Sequence, residues 1–169
     1  SAELPEEKGL TVVEIVDAIR CDRIKGLYVV GGNPAMANPD LAATREALAR
    51  LDHLVVQDIF TTETTAFADV ILPAAALAES AGTVTNTDRI IQVIEPALPP
   101  PGDAREDWAI VCGMASQLGL PWARMSLEAT FNEMAAMVPM LNGFNWRWLK
   151  NERCARYPIK AKDPGQGIQ

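Results

Sequence analysis

Short apolar runs alternate with amphipathic stretches over the first part of the chain. Thr11 and Glu14 have the spacing of a capping box, and the run from Val12 to Ile19 behind Thr11 has helical periodicity. Leu27–Val30 is short, apolar and rich in β-branched residues, and two glycines follow it. This combination predicts a helix followed by a buried strand.

The same alternation continues as far as residue 73. Strands that are apolar throughout are typical of a parallel sheet covered by helices. We therefore predict an α/β fold, with a mostly parallel sheet and helices on both faces, similar to the Rossmann arrangement. The further elements predicted here are a helix at 41–51 capped by Asp40, a strand at Leu54–Val56 that ends at Gln57-Asp58, a short helix at Thr61–Phe67, and a strand at Asp69–Leu72 before Pro73.

The pattern changes after residue 73. The segment 74–86 is small, polar and weakly periodic, which predicts an ordered loop, and the segment 89–94 is predicted to be extended. Further helices are predicted at 104–118 behind Asp103, at 127–138 behind Ser126, and at 144–150. We expect a tail over residues 1–9, one domain over residues 10–150, and a linker over residues 151–169 toward a further domain.

Composition narrows the class of partner. The formal net charge is −7, so we expect no nucleic-acid partner, and no apolar run approaches the ~20 residues of a membrane span. The three cysteines, Cys21, Cys112 and Cys154, are too far apart for a zinc or iron–sulfur motif. Cys112 lies in an apolar helical pattern and is expected in the core. Cysteines without a disulfide framework favour a reducing compartment, so a cytoplasmic location is expected.

Candidate binding residues flank the predicted strands. Ligands of an open parallel sheet bind at the carboxyl ends of its strands. Gly31-Gly32-Asn33-Pro34 follows the first strand, Gln57-Asp58 ends the second, and Asp69 and Pro73 flank the third. Glycines let backbone amides approach a ligand, and the Asp58 carboxylate can accept two hydrogen bonds from a purine edge or a ribose diol. The plainer alternatives are a tight turn at residues 31–34 and a local backbone cap at Asp69.

No catalytic pair is evident in the sequence. The single histidine, His53, has no obvious partner, and acids such as Glu63, Glu79 and Asp88 are scattered along the chain. Paired carboxylates with separated pKa values are the usual sign of acid–base chemistry, and none is visible. The residues themselves therefore indicate a binding domain.

A long ordered set of motifs resembles the third domain of molybdopterin oxidoreductases. The family pattern has a GENP loop, a VVQDIFxTET segment, an ADVxLPxxxxxExxGTxTNxxRxxQ segment and a GxAxxDWxIxxxLAxxLG segment. In this chain they correspond to residues 31–34, 55–64, 68–92 and 102–119, so that the resemblance covers roughly residues 10 to 122. The segments 143–146 and 157–158 are most similar to the catalytic subunit of formate dehydrogenases. Residues 155–159 lack that subunit's Trp and Cys, and Gly32 stands where the family has Glu.

The resemblance implies a ligand, a molybdopterin guanine dinucleotide that carries molybdenum or tungsten. The GENP-like loop of Gly31, Gly32, Asn33 and Pro34, Asn33 above all, would contact the dinucleotide. Gln57 and Asp58 would meet the guanosine, with Thr62 beside them, and Asp69 would hold the guanine or its pocket. Gly82, Asn86 and Arg89 would shape the loop nearer the pterin.

The family's metal-ligating Cys or selenocysteine and its 4Fe-4S cysteines have no counterpart in this chain. The resemblance therefore implies an inactive part of a larger formate dehydrogenase, one that retains little or no cofactor alone. Its partners would be the remaining domains of the same subunit and electron-transfer subunits. Three alternatives stay open: the cofactor-free homologous domain in the large iron–sulfur subunit of NADH–quinone oxidoreductase, a nitrate-reductase-type relative, and a nucleotide-binding module without a redox role.

Overall fold

The chain forms two compact units, residues 1–74 and residues 75–169. The structure, a computed structural model, describes residues 7–120, 122 and 126–158. Unit 1 and unit 2 are described separately below. No helix in those ranges is long and apolar enough to cross a bilayer.

Unit 1 is built on a parallel sheet of three strands in the order β1-β2-β3. Residues 26–30 of β1 pair with residues 53–57 of β2, and residues 55–58 of β2 pair with residues 70–73 of β3. This arrangement confirms the α/β prediction. The elements of unit 1 are α1 (Val12–Arg20), β1 (Gly26–Val30), α2 (Pro34–Ala37), α3 (Leu41–Ala49), β2 (His53–Asp58), a 3-10 turn (Thr65–Phe67) and β3 (Val70–Pro73).

Side-chain caps fix where the longer helices of unit 1 begin. The Thr11 amide donates to Glu14 Oε2 over 2.6 Å, and the Glu14 amide donates to Thr11 Oγ1 over 3.4 Å. These contacts hold the pKa of Glu14 below its ordinary value, the Thr11 side chain most of all. Asp40 Oδ1 accepts from the Ala43 amide over 2.9 Å at the start of α3. Both predicted caps are confirmed, and each supplies an acceptor for an otherwise unpaired first-turn amide.

The core of unit 1 lies where β2 meets α2 and α3. Leu54, Val56 and Ala35 have no exposed surface, and Leu48 has 4%. Full burial of a leucine or valine side chain stabilises a fold by about 1.5–3 kcal/mol. Leu54 and Val56 lie on the central strand β2, Ala35 in α2 and Leu48 in α3, so this cluster packs the two helices against β2.

Unit 2 contains an antiparallel sheet in the order β4-β5-β6. The loop predicted at 74–86 is partly wrong, since residues 82–85 pair with residues 91–94 as β4. Cys154–Arg156, in the segment predicted as a linker, pairs with β5 as β6. The elements of unit 2 are a 3-10 turn (Leu77–Glu79), β4 (Gly82–Thr85), β5 (Ile90–Ile94), α4 (Asp107–Gln117), α5 (Leu127–Met137), a 3-10 turn (Pro139–Leu141), α6 (Trp146–Glu152) and β6 (Cys154–Arg156).

The helices of unit 2 differ from the prediction mainly at α4. Its N-cap is Glu106, so Asp103 does not cap it, whereas Ser126 caps α5 through the Ala129 amide as predicted. Cys112 is half-buried, so its assignment to the core was wrong. The inward side of α4 is set instead by Ile110 and Ala115.

Aromatic packing dominates the core of unit 2. Phe131 and Phe144 are buried together with Leu149, which has no exposed surface. Phe131 packs on Trp146 and Phe144 on Trp148, each pair with ring centroids 5.8 Å apart. Tilted and edge-on pairs at such distances are favourable arrangements of aromatic quadrupoles. Residues 159–169, where the predicted linker continues, lie outside the described residues.

Candidate functional site

The carboxyl ends of the three parallel strands meet at one edge of the unit 1 sheet. Val30 is paired with Gln57, and Asp58 is paired with Pro73. The loop at residues 31–34, the turn after Asp58 and the chain after Pro73 therefore all leave the sheet at this edge. We call it the carboxyl edge. It brings together most of the predicted site residues of unit 1.

Gly31 has a conformational role at the carboxyl edge. Its φ is +60°, in the left-handed region that favours glycine, and its amide donates to Gln57 O over 2.8 Å. A Cβ at Gly31 would meet no atom within 4 Å, so the constraint there is backbone conformation and not space. A Cβ at Gly32 would lie 3.8 Å from Val29 Cγ1, an ordinary contact.

Asn33 joins the loop after β1 to the loop after β2. Its Nδ2 donates to Glu63 Oε2 over 2.7 Å, and its Oδ1 accepts from Thr64 Oγ1 over 2.8 Å. Thr64, which is fully buried, accepts in turn from the Ala35 amide over 3.1 Å, just behind Pro34 at the start of α2. We call Asn33, Glu63, Thr64 and Ala35 the clasp. Asn33 was predicted to contact the ligand, but in this structure most of its amide is used by the clasp.

Glu63 and Thr64 were not predicted as site residues. The only signal was the threonine-rich run at 61–65, which is equally typical of a helix cap. The hydrogen bond from Asn33 holds the pKa of the exposed Glu63 carboxyl below its ordinary value, and the Arg45 charge acts in the same direction. Glu63 is therefore ionised at neutral pH and accepts from Asn33 as a carboxylate.

Gln57 lies inside the sheet. It has no exposed surface, and the Tyr28 hydroxyl donates to its Oε1. A buried amide needs such partners, because an unpaired polar group in the interior is costly. Gln57 was predicted to meet the ligand. In the structure its buried side chain is used within the sheet, next to the carboxyl edge.

Asp58 presents an open acceptor at the carboxyl edge. Its Oδ1 accepts from the amides of Ile59 and Phe60 over 2.7 and 3.3 Å, which fixes the orientation of the carboxylate. Its Oδ2 accepts no hydrogen bond from the part of the chain that the structure describes. A carboxylate oriented by two backbone amides, with one oxygen left over, is suited to a donor-rich ligand.

Thr62 carries an unpaired polar atom close to Asp58 in sequence. Its Oγ1 is buried and has no hydrogen-bond partner, the only such side-chain atom among the residues described. Buried hydroxyls in folded proteins are nearly always hydrogen-bonded. An orphaned hydroxyl four residues after Asp58 is what a site would show if a ligand completed its hydrogen bonds.

Asp69 lies at the opposite edge from Asp58. Its Oδ2 accepts from the Leu54 amide over 2.7 Å, and its own amide donates to Leu54 O over 2.9 Å. Leu54 is four residues before Asp58 on β2, a separation of about 13 Å at ~3.3 Å per residue. Asp69 was predicted beside the guanine, yet the structure does not bring it together with the carboxyl edge. It caps a backbone amide, as in the plainer alternative, but that amide belongs to Leu54 at the start of β2 and is not local in sequence.

We call the edge of the sheet at which the strands begin the amino edge. His53, the first residue of β2, also lies there. Its Nδ1 lies 3.7 Å from Asp69 Oδ2, so the structure places an acid near His53 that the sequence did not make obvious. The cause is the parallel pairing, which places the residue before β3 beside the start of β2. Sequence distance alone does not reveal such a neighbour.

The remaining predicted residues lie in unit 2. Gly82 opens β4 with a φ of +154°. Asn86 and Arg89 form the turn between β4 and β5: the Arg89 amide donates to Asn86 O over 3.0 Å, and Asn86 Oδ1 accepts from the Ile90 amide over 3.0 Å. Arg89 has a φ of +63°, so this turn uses a left-handed residue other than glycine. Asn86 thus shapes a hairpin turn through its side chain.

The chemistry available at these residues is recognition by hydrogen bonds. Within residues 7–120, 122 and 126–158 there is no group of three or more His, Cys, Asp or Glu side chains that could hold a metal ion. The site offers oriented acceptors, an orphaned hydroxyl and backbone amides of a left-handed glycine turn. These groups bind and orient a polar ligand.

Sequence comparison identifies the class of protein. Residues 2–117 match the family described as molybdopterin oxidoreductase, and the chain belongs to that family. The match confirms the predicted resemblance.

The chain is similar to subunits of formate dehydrogenases and of a nitrate reductase. The chain is 44% identical over 150 residues to the F420-dependent formate dehydrogenase subunit alpha of Methanocaldococcus jannaschii, covering 88% of the chain and 22% of the relative. It is 40% identical over 172 residues to the F420-dependent formate dehydrogenase 2 subunit alpha of Methanococcus maripaludis, covering 99% and 25%. The assimilatory nitrate reductase catalytic subunit of Bacillus subtilis is 36% identical over 172 residues, covering 98% and 24%. The chain thus spans about a quarter or less of the length of these relatives.

A solved structure supports the fold. The acetylene hydratase from Pelobacter acetylenicus superposes with a TM-score of 0.64 at 18% sequence identity, over 86% of this chain and 20% of that one. At this identity the likeness concerns the fold alone. It agrees with the predicted α/β class.

Proposed function

We propose that the carboxyl edge of unit 1 binds the guanine nucleotide end of a molybdopterin guanine dinucleotide. The observation that carries the proposal is the juxtaposition in one short segment of an oriented carboxylate, Asp58, and a buried hydroxyl without a partner, Thr62. The family of the chain implies a molybdopterin cofactor. The guanine dinucleotide form and the metal, molybdenum or tungsten, are part of the proposal.

The donor and acceptor set fits a guanine. Guanine carries two adjacent donors, its ring N1–H and its exocyclic amine, and Asp58 Oδ2, the carboxylate oxygen not used by the Ile59 and Phe60 amides, can accept from this donor edge. Adenine lacks this pair on its Watson–Crick edge. A hydrogen bond to a charged group contributes about 1.5–3 kcal/mol, so the Asp58 contact accounts for a large selectivity between the two bases. The residues assigned to this end are Gly31, Gly32, Asn33, Pro34, Asp58 and Thr62.

The remaining predicted residues are given positioning or structural roles. We assign Asn33 chiefly to the clasp, which holds the Gly31–Pro34 loop against the chain that follows Asp58, and Gln57 to the support beneath them. Asp69 is assigned to the structure of the amino edge. Gly82, Asn86 and Arg89 are proposed to shape the surface that meets the pterin end of the cofactor.

The parent protein is proposed to be a cytoplasmic formate dehydrogenase that oxidises formate to carbon dioxide. The high identity to two formate dehydrogenase alpha subunits supports this substrate. The bound cofactor supplies two-electron redox chemistry, and this chain's residues hold its nucleotide end. A 4Fe-4S cluster, the metal-ligating residue and the contacts to electron-transfer subunits are assigned to domains outside this chain. Residues 10–150, extended to Arg156 because Cys154–Arg156 pairs with β5, are proposed as the cofactor-binding domain, and the linker predicted at 151–169 is proposed to begin after this strand.

The test is a titration of the 169-residue chain with GDP, followed by two-dimensional NMR of backbone amides. The proposal expects GDP to shift the amide signals of residues 31–33 and 58–62, and ADP to shift them less. In Asp58→Ala the GDP shifts in both segments should be lost. The amino edge around Leu54 and Asp69 is the internal control and should not respond. Equal responses to GDP and ADP, or shifts that survive in Asp58→Ala, would overturn the guanine assignment.

A nitrate reductase is the second candidate. The assimilatory enzyme of Bacillus subtilis matches 98% of the chain at 36% identity. The same dinucleotide site serves either enzyme, so the choice rests on the parent protein. Purified full-length parent protein should oxidise formate with an artificial electron acceptor and should not reduce nitrate with a reduced dye. The reverse result would select the nitrate reductase.

A further inference from the structure

The loop after β1 is joined to the chain after β2 by hydrogen bonds between residues 30 and 31 positions apart. We propose that Glu63 is a positioning residue for nucleotide binding: its carboxylate sets the orientation of the Asn33 side-chain amide and thereby fixes the Gly31–Pro34 loop before the ligand arrives. The inference rests on the proposed nucleotide site at the carboxyl edge and deepens it. Glu63 acts through Asn33 and not by touching the ligand.

The neighbours of Asn33 select one orientation of its amide. Asn33 Oδ1 accepts from the hydroxyl of Thr64 over 2.8 Å and from the backbone amide of Thr64 over 3.3 Å. Asn33 Nδ2 donates to Glu63 Oε2 over 2.7 Å. A flipped amide would point its NH2 group at a backbone N–H and its oxygen at a carboxylate, which has no proton to donate when it is ionised. Glu63 therefore accepts only one of the two orientations.

The loop is also anchored at its start and just behind its end. The Gly31 amide donates to Gln57 O over 2.8 Å. Ala35 is held through both of its backbone groups, because its amide donates to Thr64 Oγ1 over 3.1 Å and its carbonyl accepts from Arg45 Nε over 2.9 Å. Between these anchors, the side-chain amide of the third loop residue is the remaining link to the segment after β2 within the described chain.

A loop that is fixed in advance improves binding, because the entropy of ordering it has already been lost in the folded protein. Asp58, the acceptor proposed for the guanine, lies five residues before Glu63 in the same segment. The bond between Glu63 and Asn33 therefore ties the loop to the segment that carries the base contact. Loss of this bond should weaken nucleotide binding even where the fold is kept.

The experiment exchanges the two partners of the bond and measures GDP affinity. In Asn33→Asp two carboxylates would face each other, so the affinity should fall by roughly tenfold. Addition of Glu63→Gln to Asn33→Asp places a donor opposite an acceptor again, with the direction of the bond reversed. This double variant should return to within about threefold of the parent chain. An Asn33 amide that donated to the ligand could not be replaced in this way, because an ionised Asp has no N–H.

A single substitution removes the acceptor without adding a repulsive charge. Glu63→Ala should lower the GDP affinity by roughly fivefold, because the ligand must then order the loop. Relaxation of ¹⁵N in the GDP-free chain should show increased motion of residues 31–33. The matched control is Glu46→Ala, which removes another exposed glutamate of unit 1, one that lies 3.7 Å from Arg20. It should change neither the affinity nor the motion.

The outcomes separate this inference from the proposed function. GDP binding that is lost in Asp58→Ala and unaltered in Glu63→Ala would overturn the positioning role and leave the nucleotide site standing. A double variant as weak as Asn33→Asp would do the same. A parent chain that does not bind GDP would overturn both. Amide spectra that match the parent outside the loop show that a change of affinity is not caused by unfolding.

Discussion

Asp58 and Asp69 are the same residue type, flank neighbouring strands, and have different surroundings. At the amino edge, Asp69 Oδ2 accepts a hydrogen bond from the Leu54 amide and lies near His53. Asp58 at the carboxyl edge uses one oxygen on its own turn and leaves the other without a partner in the described chain. The first carboxylate completes the fold, and the second is oriented and left open.

The same contrast applies to the hydroxyls of the carboxyl edge. Thr64 is buried and bonded on both sides, to Asn33 and to the Ala35 amide. Thr62, two residues earlier, has a buried oxygen with no partner. Substitution of a group that has hydrogen-bond partners within the chain should therefore lower the stability of unit 1. Substitution of a group without such a partner should weaken ligand binding. The expectations below test this division.

The largest effect on stability is expected from Thr64→Val. The substitution keeps the shape of the side chain but leaves the Ala35 amide unpaired and removes a donor to Asn33, so unit 1 should lose about 2–3 kcal/mol. Urea unfolding followed by unit 1 amide signals measures this loss. Thr64→Ser, which keeps the hydroxyl, should lie within about 1 kcal/mol of the parent chain. Equal losses in Val and Ser would show that the hydroxyl does not support the clasp.

Gly31→Ala is expected to cost about 1–2 kcal/mol, because a side chain disfavours the left-handed backbone at φ +60°. Gly32→Ala is the matched control, since a Cβ there makes only ordinary contacts and no positive φ is required. The same urea measurement applies to both. If the two substitutions have the same effect, conformation is not what this loop requires of Gly31.

Asp69→Ala should destabilise unit 1 by about 1 kcal/mol. The lost hydrogen bond joins a charged acceptor to the Leu54 amide, and partial exposure lowers its contribution. Asp69→Asn retains an acceptor and should lose less. Amide exchange at Leu54 reports the effect locally, and exchange that is as slow in Asp69→Ala as in the parent would contradict the assignment.

The smallest effect is a pH dependence at Glu63. Its folded-state pKa is lowered, chiefly by the Asn33 hydrogen bond, so its contribution to stability is present above the unfolded-state pKa. That contribution is lost as the pH falls through the lowered pKa. The protection factor of the Thr64 amide, which corrects the exchange rate for its intrinsic pH dependence, should therefore fall as Glu63 is protonated. Glu63→Gln should remove this step, and a step that persists in the Gln variant would assign it to another group.

Local signals were sufficient for much of unit 1. Two helix caps, at Thr11 and Asp40, and two apolar runs, before Gly31 and Asp58, can each be recognised from a few consecutive residues. The structure contains the helix or strand that each of them predicts. Parallel pairing followed from the type of strand. The carboxyl edge could be predicted for the same reason, because each strand end is followed by unusual residues.

What the sequence did not reveal depends on pairing between distant residues. β4 has weak periodicity, and β6 pairs with β5 across more than 60 residues of chain, so neither has a local signature. The partner of Asn33 lies 30 residues away at Glu63. Asp69 was expected near Asp58 because both flank strands, yet a residue that precedes a parallel strand lies at its amino end.

The most direct measurement compares the two aspartates by GDP affinity. Asp58→Ala and Asp69→Ala chains are titrated with GDP under conditions where both are fully folded, with the parent chain as reference. The expected result is at least a tenfold loss of affinity in Asp58→Ala and an unchanged affinity in Asp69→Ala. Equal affinities in all three chains, or a loss confined to Asp69→Ala, would contradict the assignment of the binding site to the carboxyl edge.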